Sequence, residues 1–205
     1  MAREAAVSSQ ALRSVAACPL GKTPDSVIYW MQTGAAMASI RNAREDETGT
    51  LSEIGLRAWE KAMSSVGEMA GIRDNARLAF DTFTRSAWLT ISVIEQGGVI
   101  AGWGAREKLD ELISDFWIDP PYQHQGLGGA LLASIEADIV RQGFDTARIE
   151  THARNDEAVA FFEKHGYRIN WLSATYSPKL DREVQTVGLT KVLVEEAAET
   201  YGPAY

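Results

Sequence analysis

The stretch Gln123-His124-Gln125-Gly126-Leu127-Gly128-Gly129 decides how the rest of the chain is read. Before it, Leu112 to Ile118 is apolar apart from Ser114 and Asp115, and Pro120 and Pro121 stop the run, as expected of a strand entering a loop. After it, Leu127, Leu131, Ile135 and Ile139 recur every fourth residue and Gly143 closes the series, which predicts a helix. Strand, glycine loop and helix leave several backbone N–H groups unpaired at the first helical turn. Gly126, Gly128 and Gly129 place no side chains there to hold a ligand off. Such a place binds phosphate, and the positive end of the helix adds to the attraction.

Two other readings share these glycines. One is a tight turn that serves only close helix packing. The other is a dinucleotide-binding turn, with Glu150 near the end of the next strand as its ribose-binding acid. Against the dinucleotide turn, the third glycine of GxGxxG would fall at Leu131. The double proline also separates strand from loop, and the strands upstream read as hairpins.

The loop resembles more closely the acyl-CoA-binding signature of the GCN5-related N-acetyltransferases (GNAT): Gln or Arg, two residues, Gly, one residue, Gly or Ala. Gln123, Gly126 and Gly128 fill it. One strand later, the segment from Asn155 through Ala158, Phe161, Phe162, Lys164 and Gly166 to Tyr167 is similar to the helix that this family sets beside the pantetheine arm. The resemblance runs from about Ser39 to Leu193. It implies an α/β (α+β) GNAT fold, a mixed, mostly antiparallel twisted sheet of about six or seven strands flanked by about four helices.

Element by element, Met37 to Arg41 reads as a strand and Leu51 to Ala62 as a helix. The pattern loosens from Ser64 to Gly71 and resumes as a short second helix around Leu78 to Phe83. Ala87 to Glu95, the turn Gln96-Gly97-Gly98 and Val99 to Arg106 read as a hairpin, with Leu112 to Ile118 the next strand over. Thr146 to Thr151, Arg168 to Tyr176 and Val184 to Leu193 complete the strands. The resemblance makes the first two helices a wall of the acceptor pocket, with Trp59 and Met69 as lining candidates.

The chain has 205 residues, 45% of them hydrophobic, which suits one globular domain, here 38–194. Residues 1–37 read as an Ala- and Ser-rich N-terminal extension broken by Pro19, Gly21 and Pro24, without the apolar core of a secretory signal. Residues 195–205 read as an acidic tail. The net charge of −8 has the wrong sign for a general nucleic-acid partner, and no run is long enough for a membrane span, so a cytoplasmic protein is expected. Cys18 is the only cysteine, which excludes an internal disulfide, and His124, His152 and His165 lack metal-site spacing, so no metal is expected.

What the resemblance implies for chemistry is transfer of an acetyl group from acetyl-CoA to an amine, directly in a ternary complex. The backbone N–H groups of His124, Gln125, Gly126, Leu127, Gly128 and Gly129 would hold the diphosphate, with Gln123 opening the loop. The backbone of Phe116, Trp117 and Ile118 would pair with pantetheine and offer a donor near the thioester oxygen. Asn155 would bind the pantetheine amides while capping its helix. Phe162 and Lys164 complete the expected binding set, Lys164 and Arg154 reaching toward the ribose phosphate.

Two requirements depart from the family pattern. The tyrosine that usually protonates the departing thiolate is replaced by Phe162, which leaves water, Tyr176 or the electrostatics of the loop, while Tyr167 is assigned to the core. For the general base, Asp115 is the first choice and Glu111 the second, although both lie in the opposite side-chain phase from Leu112 and Ser114 unless a bulge changes it. The acceptor is a small primary amine or a peptide amine. Asp110, Glu111 and Asp115 would suit a cationic one. A catalytically silent acyl-CoA-binding module of the same fold is the alternative, and a homodimer through an exposed strand edge stays open.

Overall fold

The computed structural model describes residues 37–64 and 72–194. The expectations for 1–36, for 195–205 and for Met69 lie outside them. The chain runs β1 (Ala38–Asn42), α1 (Thr48–Met63), α2 (Ile72–Ala87), β2 (Ile91–Gln96), β3 (Val99–Ala105), β4 (Leu112–Ile113), β5 (Asp115–Ile118), α3 (Leu127–Arg141), β6 (Thr146–His152), α4 (Asp156–Lys164), β7 (Arg168–Ser177) and β8 (Arg182–Val192), with three short 3-10 turns between.

The strands form two four-stranded sheets, β1-β2-β3-β5 and β4-β6-β8-β7. Every pairing is antiparallel except β4 with β6. The single strand expected at Leu112 to Ile118 is therefore two, broken at Ser114. The Ser114 N–H and hydroxyl both donate to the Ala105 carbonyl, at 2.9 and 3.2 Å. That local bond takes the extra residue of a bulge, so Ile113 and Phe116, three apart, both pack on the same core. If β4 and β5 count as one bent strand, the sheet has seven strands and four α-helices, the GNAT arrangement that the sequence implies.

Helices α3 and α4 cover one face. Leu131, Leu132, Ile135 and Ile139 of α3 are fully buried there with Ile113, Ile149, Phe162, Tyr167 and Leu189. Helices α1 and α2 cover the other, where Leu51, Ile54, Trp59, Phe80, Val93 and Trp103 meet. Gly55 lies inside α1 because a Cβ there would stand 2.6 Å from the Phe80 ring, so the glycine sets how closely α2 approaches. The Trp103 indole N–H donates to the Leu51 carbonyl at 2.8 Å and fixes α1 on β3.

Two boundaries differ from expectation. Helix α2 is sixteen residues long, not a short helix, because Ala76, Phe80, Thr84 and Ala87 continue one buried stripe on both sides of the expected core. Strand β2 consequently starts at Ile91, after a 3-10 turn at Trp88–Thr90, instead of at Ala87. Among the described residues no helix is long and apolar enough to cross a membrane.

Candidate active site

The split at Ser114 opens the sheet. Strand β4 pairs with β6 only at Leu112 and Ile113, after which β5 stays on β3 and leaves β6. Alternate backbone groups of β5 therefore face a gap with no strand opposite. A cleft of about 530 Å³ lies there. Its floor is Phe116, Trp117 and Ile118, one wall is Ala58, Lys61 and Ala62 of α1, and the other is α4 from Asn155 to Lys164, with His165 beyond it.

The glycine loop closes one end. Gly126 is the N-cap of α3 with φ of 83°, His124 has φ of 59°, and no side chain caps the helix. The N–H groups of Leu127, Gly128 and Gly129 precede the first intrahelical bond, from Ala130 N–H to the Gly126 carbonyl at 3.1 Å, and are free to point at an anion. The three glycines have separate reasons. A Cβ on Gly126 would meet no protein atom within 4 Å, so only the backbone angle and the cleft require glycine there. On Gly128 it would press the Phe161 ring at 3.2 Å, and on Gly129 it would stand 2.9 Å from His165 Nε2. Close packing of α3 on α4 thus accounts for two of them.

Of the expected binding residues, Phe116, Trp117, Ile118, Gln123, His124, Gly126, Gly128, Gly129, Asn155, Phe162 and Lys164 are brought together around the cleft. Gln125 and Leu127 are not on its lining. The Gln125 side chain donates to the Pro121 carbonyl at 3.0 Å, and the Leu127 side chain is buried in the core, which leaves their backbone N–H groups as what they can offer. Asn155 caps α4, its Oδ1 accepting from Ala158 N–H at 3.2 Å. Gln123 is clamped, its Nε2 donating to the Ile118 carbonyl at 2.9 Å and its Oε1 accepting from Lys61 Nζ.

The three expected catalytic residues lie apart from this lining. The bulge turns Asp115 to the α2 side with Trp117, where its Oδ1 accepts from the Trp117 indole at 2.9 Å and from Lys179 Nζ at 3.0 Å. Lys179 in turn lies over the rings of Phe80 and Trp117, 4.9 and 5.4 Å from their centroids. Glu111 is ion-paired with Arg148 at 2.7 Å. Tyr176 is exposed on β7, and its hydroxyl donates to Asp181 at 2.5 Å, a bond that raises its pKa. Tyr167 packs on Phe162 in the core, as expected, and burial, with Glu136 beside its hydroxyl, pushes its pKa far up. Trp59 is buried between the helices, away from the cleft.

A seven-stranded mixed sheet that opens between a glycine loop and a capped helix is the architecture the two motifs imply. The sequence model of the acetyltransferase (GNAT) family matches residues 54–167. The chain belongs to the GNAT family. Within it, the chain is 30% identical over 95 residues to the [ribosomal protein bS18]-alanine N-acetyltransferase of Escherichia coli strain K12, a match covering 46% of this chain and 64% of that protein. The GNAT fold is shared with a GCN5-related N-acetyltransferase from Rhodopseudomonas palustris, with a TM-score of 0.66, 17% identity, and coverage of 80% of this chain and 99% of that one. It is shared as well with the PaiA N-acetyltransferase from Thermoplasma acidophilum, solved in complex with coenzyme A, with a TM-score of 0.63, 15% identity, and coverage of 76% and 98%.

Side chains outside the expected set also line the GNAT cleft, among them Lys61, Glu157 and His165. Lys61 and Ala58 reach it from α1, a helix whose polar face reads as solvated surface. His165 stacks on Phe161 at 4.3 Å between centroids, and its Nδ1 lies 2.8 Å from the Phe161 carbonyl. Glu150 of β6 comes one residue after Ile149, the last residue that pairs with β4 before the sheet splits. Ala147 and Ile149 of β6 are buried in the core, so Glu150 points to the opposite face, exposed, beside Trp171, which covers its cross-strand partner Gly188. Alternation along β6 was the signal that could have found it.

Proposed function

We propose that the chain is an acetyl-CoA-dependent N-acetyltransferase that moves an acetyl group to an amine by direct transfer in a ternary complex. The observation that carries this reading is the cleft itself: unpaired N–H groups of a helix start at one end, an unpaired strand edge along the floor, and a capped helix as the wall. The N–H groups of the loop fit a diphosphate, the edge of β5 fits the amides of pantetheine as a further strand would, and Asn155 faces the same arm.

The chain's own groups then have four tasks. The loop and α3 hold the diphosphate. A backbone N–H of β5 stabilises the oxyanion that forms when the amine attacks the thioester carbonyl. A carboxylate takes the amine proton, and the thiolate leaves with a proton from water, because Phe162, at the position of the usual tyrosine, has none to give. For the base, the ion pairs of Asp115 and Glu111 commit both carboxylates to fixed cations. Glu150, exposed on the front of β6 with no ion pair among the described residues, is the better placed acid, acting directly or through a water, with Asp115 second.

Identity to an alanine N-acetyltransferase supports a peptide or protein α-amine as the first acceptor to test, with small primary amines beside it. The test is release of free CoA thiol from acetyl-CoA with peptides of different N-terminal residues and with a set of polyamines. Turnover with any acceptor supports the reading. The Phe162 substitution favours a second one, a silent acyl-CoA-binding module, and tight CoA binding with no thiol release from any acceptor would select it.

A further inference from the structure

The loop that would hold the diphosphate brings no permanent positive charge of its own, since Gln123, His124 and Gln125 stand where a basic residue would be most effective. The structure supplies one from elsewhere. Ala58, Lys61 and Ala62 share one face of α1, and that face is a wall of the cleft. Lys61 Nζ donates to Gln123 Oε1 while Gln123 Nε2 holds the Ile118 carbonyl at 2.9 Å, so the ammonium is carried to the edge of the loop by a side chain anchored on β5.

Across the mouth, Glu157 of α4 brings its Oε1 to 3.8 Å from Lys61 Nζ and 3.5 Å from His124 Nε2. Three elements, α1, the loop and α4, thus meet around one carboxylate at the entrance to the cradle. A glutamate in the first turn of a helix is favourable on its own. That does not account for its reaching both Lys61 and His124, the two basic side chains that flank the loop.

Resting on the acetyl-CoA reading above, we propose that Lys61, with His124, is the counter-charge for the diphosphate, and that Glu157 is the anion that occupies its place in the free protein. All three side chains are substantially exposed, so their pairs are weak and screened by salt. They yield readily to a doubly charged group that also satisfies the N–H groups of α3. Gln123 then acts mainly by positioning Lys61, and Glu157 sets the affinity by competing with the ligand for the same basic side chains.

The experiment is calorimetric titration of acetyl-CoA and of acetyl-dephospho-CoA, which keeps the acetyl group and the diphosphate and lacks only the 3′-phosphate, into the wild type, Lys61→Met and Glu157→Gln at low and high salt. The proposal expects Lys61→Met to weaken both ligands about tenfold and to flatten the salt dependence. It expects Glu157→Gln to tighten both by about two- to fivefold, a gain that misfolding cannot imitate. Unchanged affinity in Lys61→Met, or weaker binding in Glu157→Gln, would overturn it. Loss confined to acetyl-CoA would also overturn it, by placing Lys61 on the 3′-phosphate. If the wild type binds neither ligand, the acetyl-CoA reading fails, and this proposal with it. Wild-type binding with unaltered variants sinks this proposal alone.

Discussion

Arg57 holds the buried carboxylate of Asp119 through two hydrogen bonds, Nε to Oδ1 at 3.0 Å and Nη2 to Oδ2 at 2.8 Å. Asp119 directly follows β5, its N–H donating to the Ala101 carbonyl and its carbonyl accepting from Tyr122, so the pair ties α1 to the entrance of the glycine loop. Arg57 and Lys61 are one helical turn apart, and both reach down from α1 to this one stretch.

Arg57→Ala should therefore leave a buried carboxylate without its fork and loosen α1 from the loop. With Arg57 itself half exposed, a loss of about 1–3 kcal/mol is expected. Urea unfolding of Arg57→Ala, Asp119→Asn and the double variant measures it. The double variant should lose much less than the sum of the singles; additive losses would mean that the pair carries no coupling.

Gly126→Ala separates ligand binding from folding. The left-handed backbone there costs an alanine about 1–2 kcal/mol, which corresponds to a few degrees in Tm for a chain of this size. No protein atom lies within 4 Å of the added methyl, which enters the cleft instead. Acetyl-CoA affinity should fall at least about tenfold as the methyl competes with a phosphate oxygen. Equal affinity in a calorimetric titration would place the diphosphate elsewhere.

Glu47 gives the chain a pH-sensitive contact far from the cleft. Arg41 bridges Glu47, at 2.5 and 2.9 Å, and Glu95, at 2.5 and 3.0 Å. The hydrogen bonds from Arg41, over the opposing effect of burial and with help from the Arg44 N–H, hold the Glu47 carboxyl below its ordinary 4.5. A depressed folded-state pKa means that the unfolded chain binds more protons, so this stabilisation is present above about pH 4.5 and is lost as pH falls through the folded-state value. The Tm gap between wild type and Glu47→Gln should shrink between about pH 6 and pH 3. A gap independent of pH would show that Glu47 contributes nothing through its charge.

Glu150→Gln and Asp115→Asn test the base. If Glu150 takes the proton, its variant should lose about 10²–10⁴-fold in kcat with acetyl-CoA affinity preserved. Asp115→Asn, which releases Lys179 from its partner, should chiefly lower stability. The reverse pattern in stopped-time thiol assays and thermal melts would return the role to Asp115.

Much of this was legible in the sequence because it is local. The apolar period of α3, the glycines before it and Asn155 ahead of its helix each follow from residues within a turn or two of one another. A bulge in the Leu112 to Ile118 strand was open from the sequence but its place at Ser114 was not, because it depends on Ala105 offering its carbonyl, a partner set by β3. Lys61 and Arg57 were also hidden. They lie on the polar side of α1, and their partners Gln123 and Asp119 are each 62 residues further on, so only the folded chain shows that these charges serve the loop. Asp115 reads as a candidate base in the sequence for the same reason, since its partner Lys179 comes from the distant β7–β8 turn.

Thermal unfolding of the full chain with acetyl-CoA, free CoA or a nicotinamide dinucleotide in excess reads out which cofactor the cleft takes. At about a hundred times the dissociation constant, a ligand that binds only the folded state adds about 2.7 kcal/mol. Both CoA species should stabilise the chain and the dinucleotide should not. A shift with the dinucleotide alone would overturn the acetyl-CoA reading and make Gln123 to Gly129 a redox-cofactor turn.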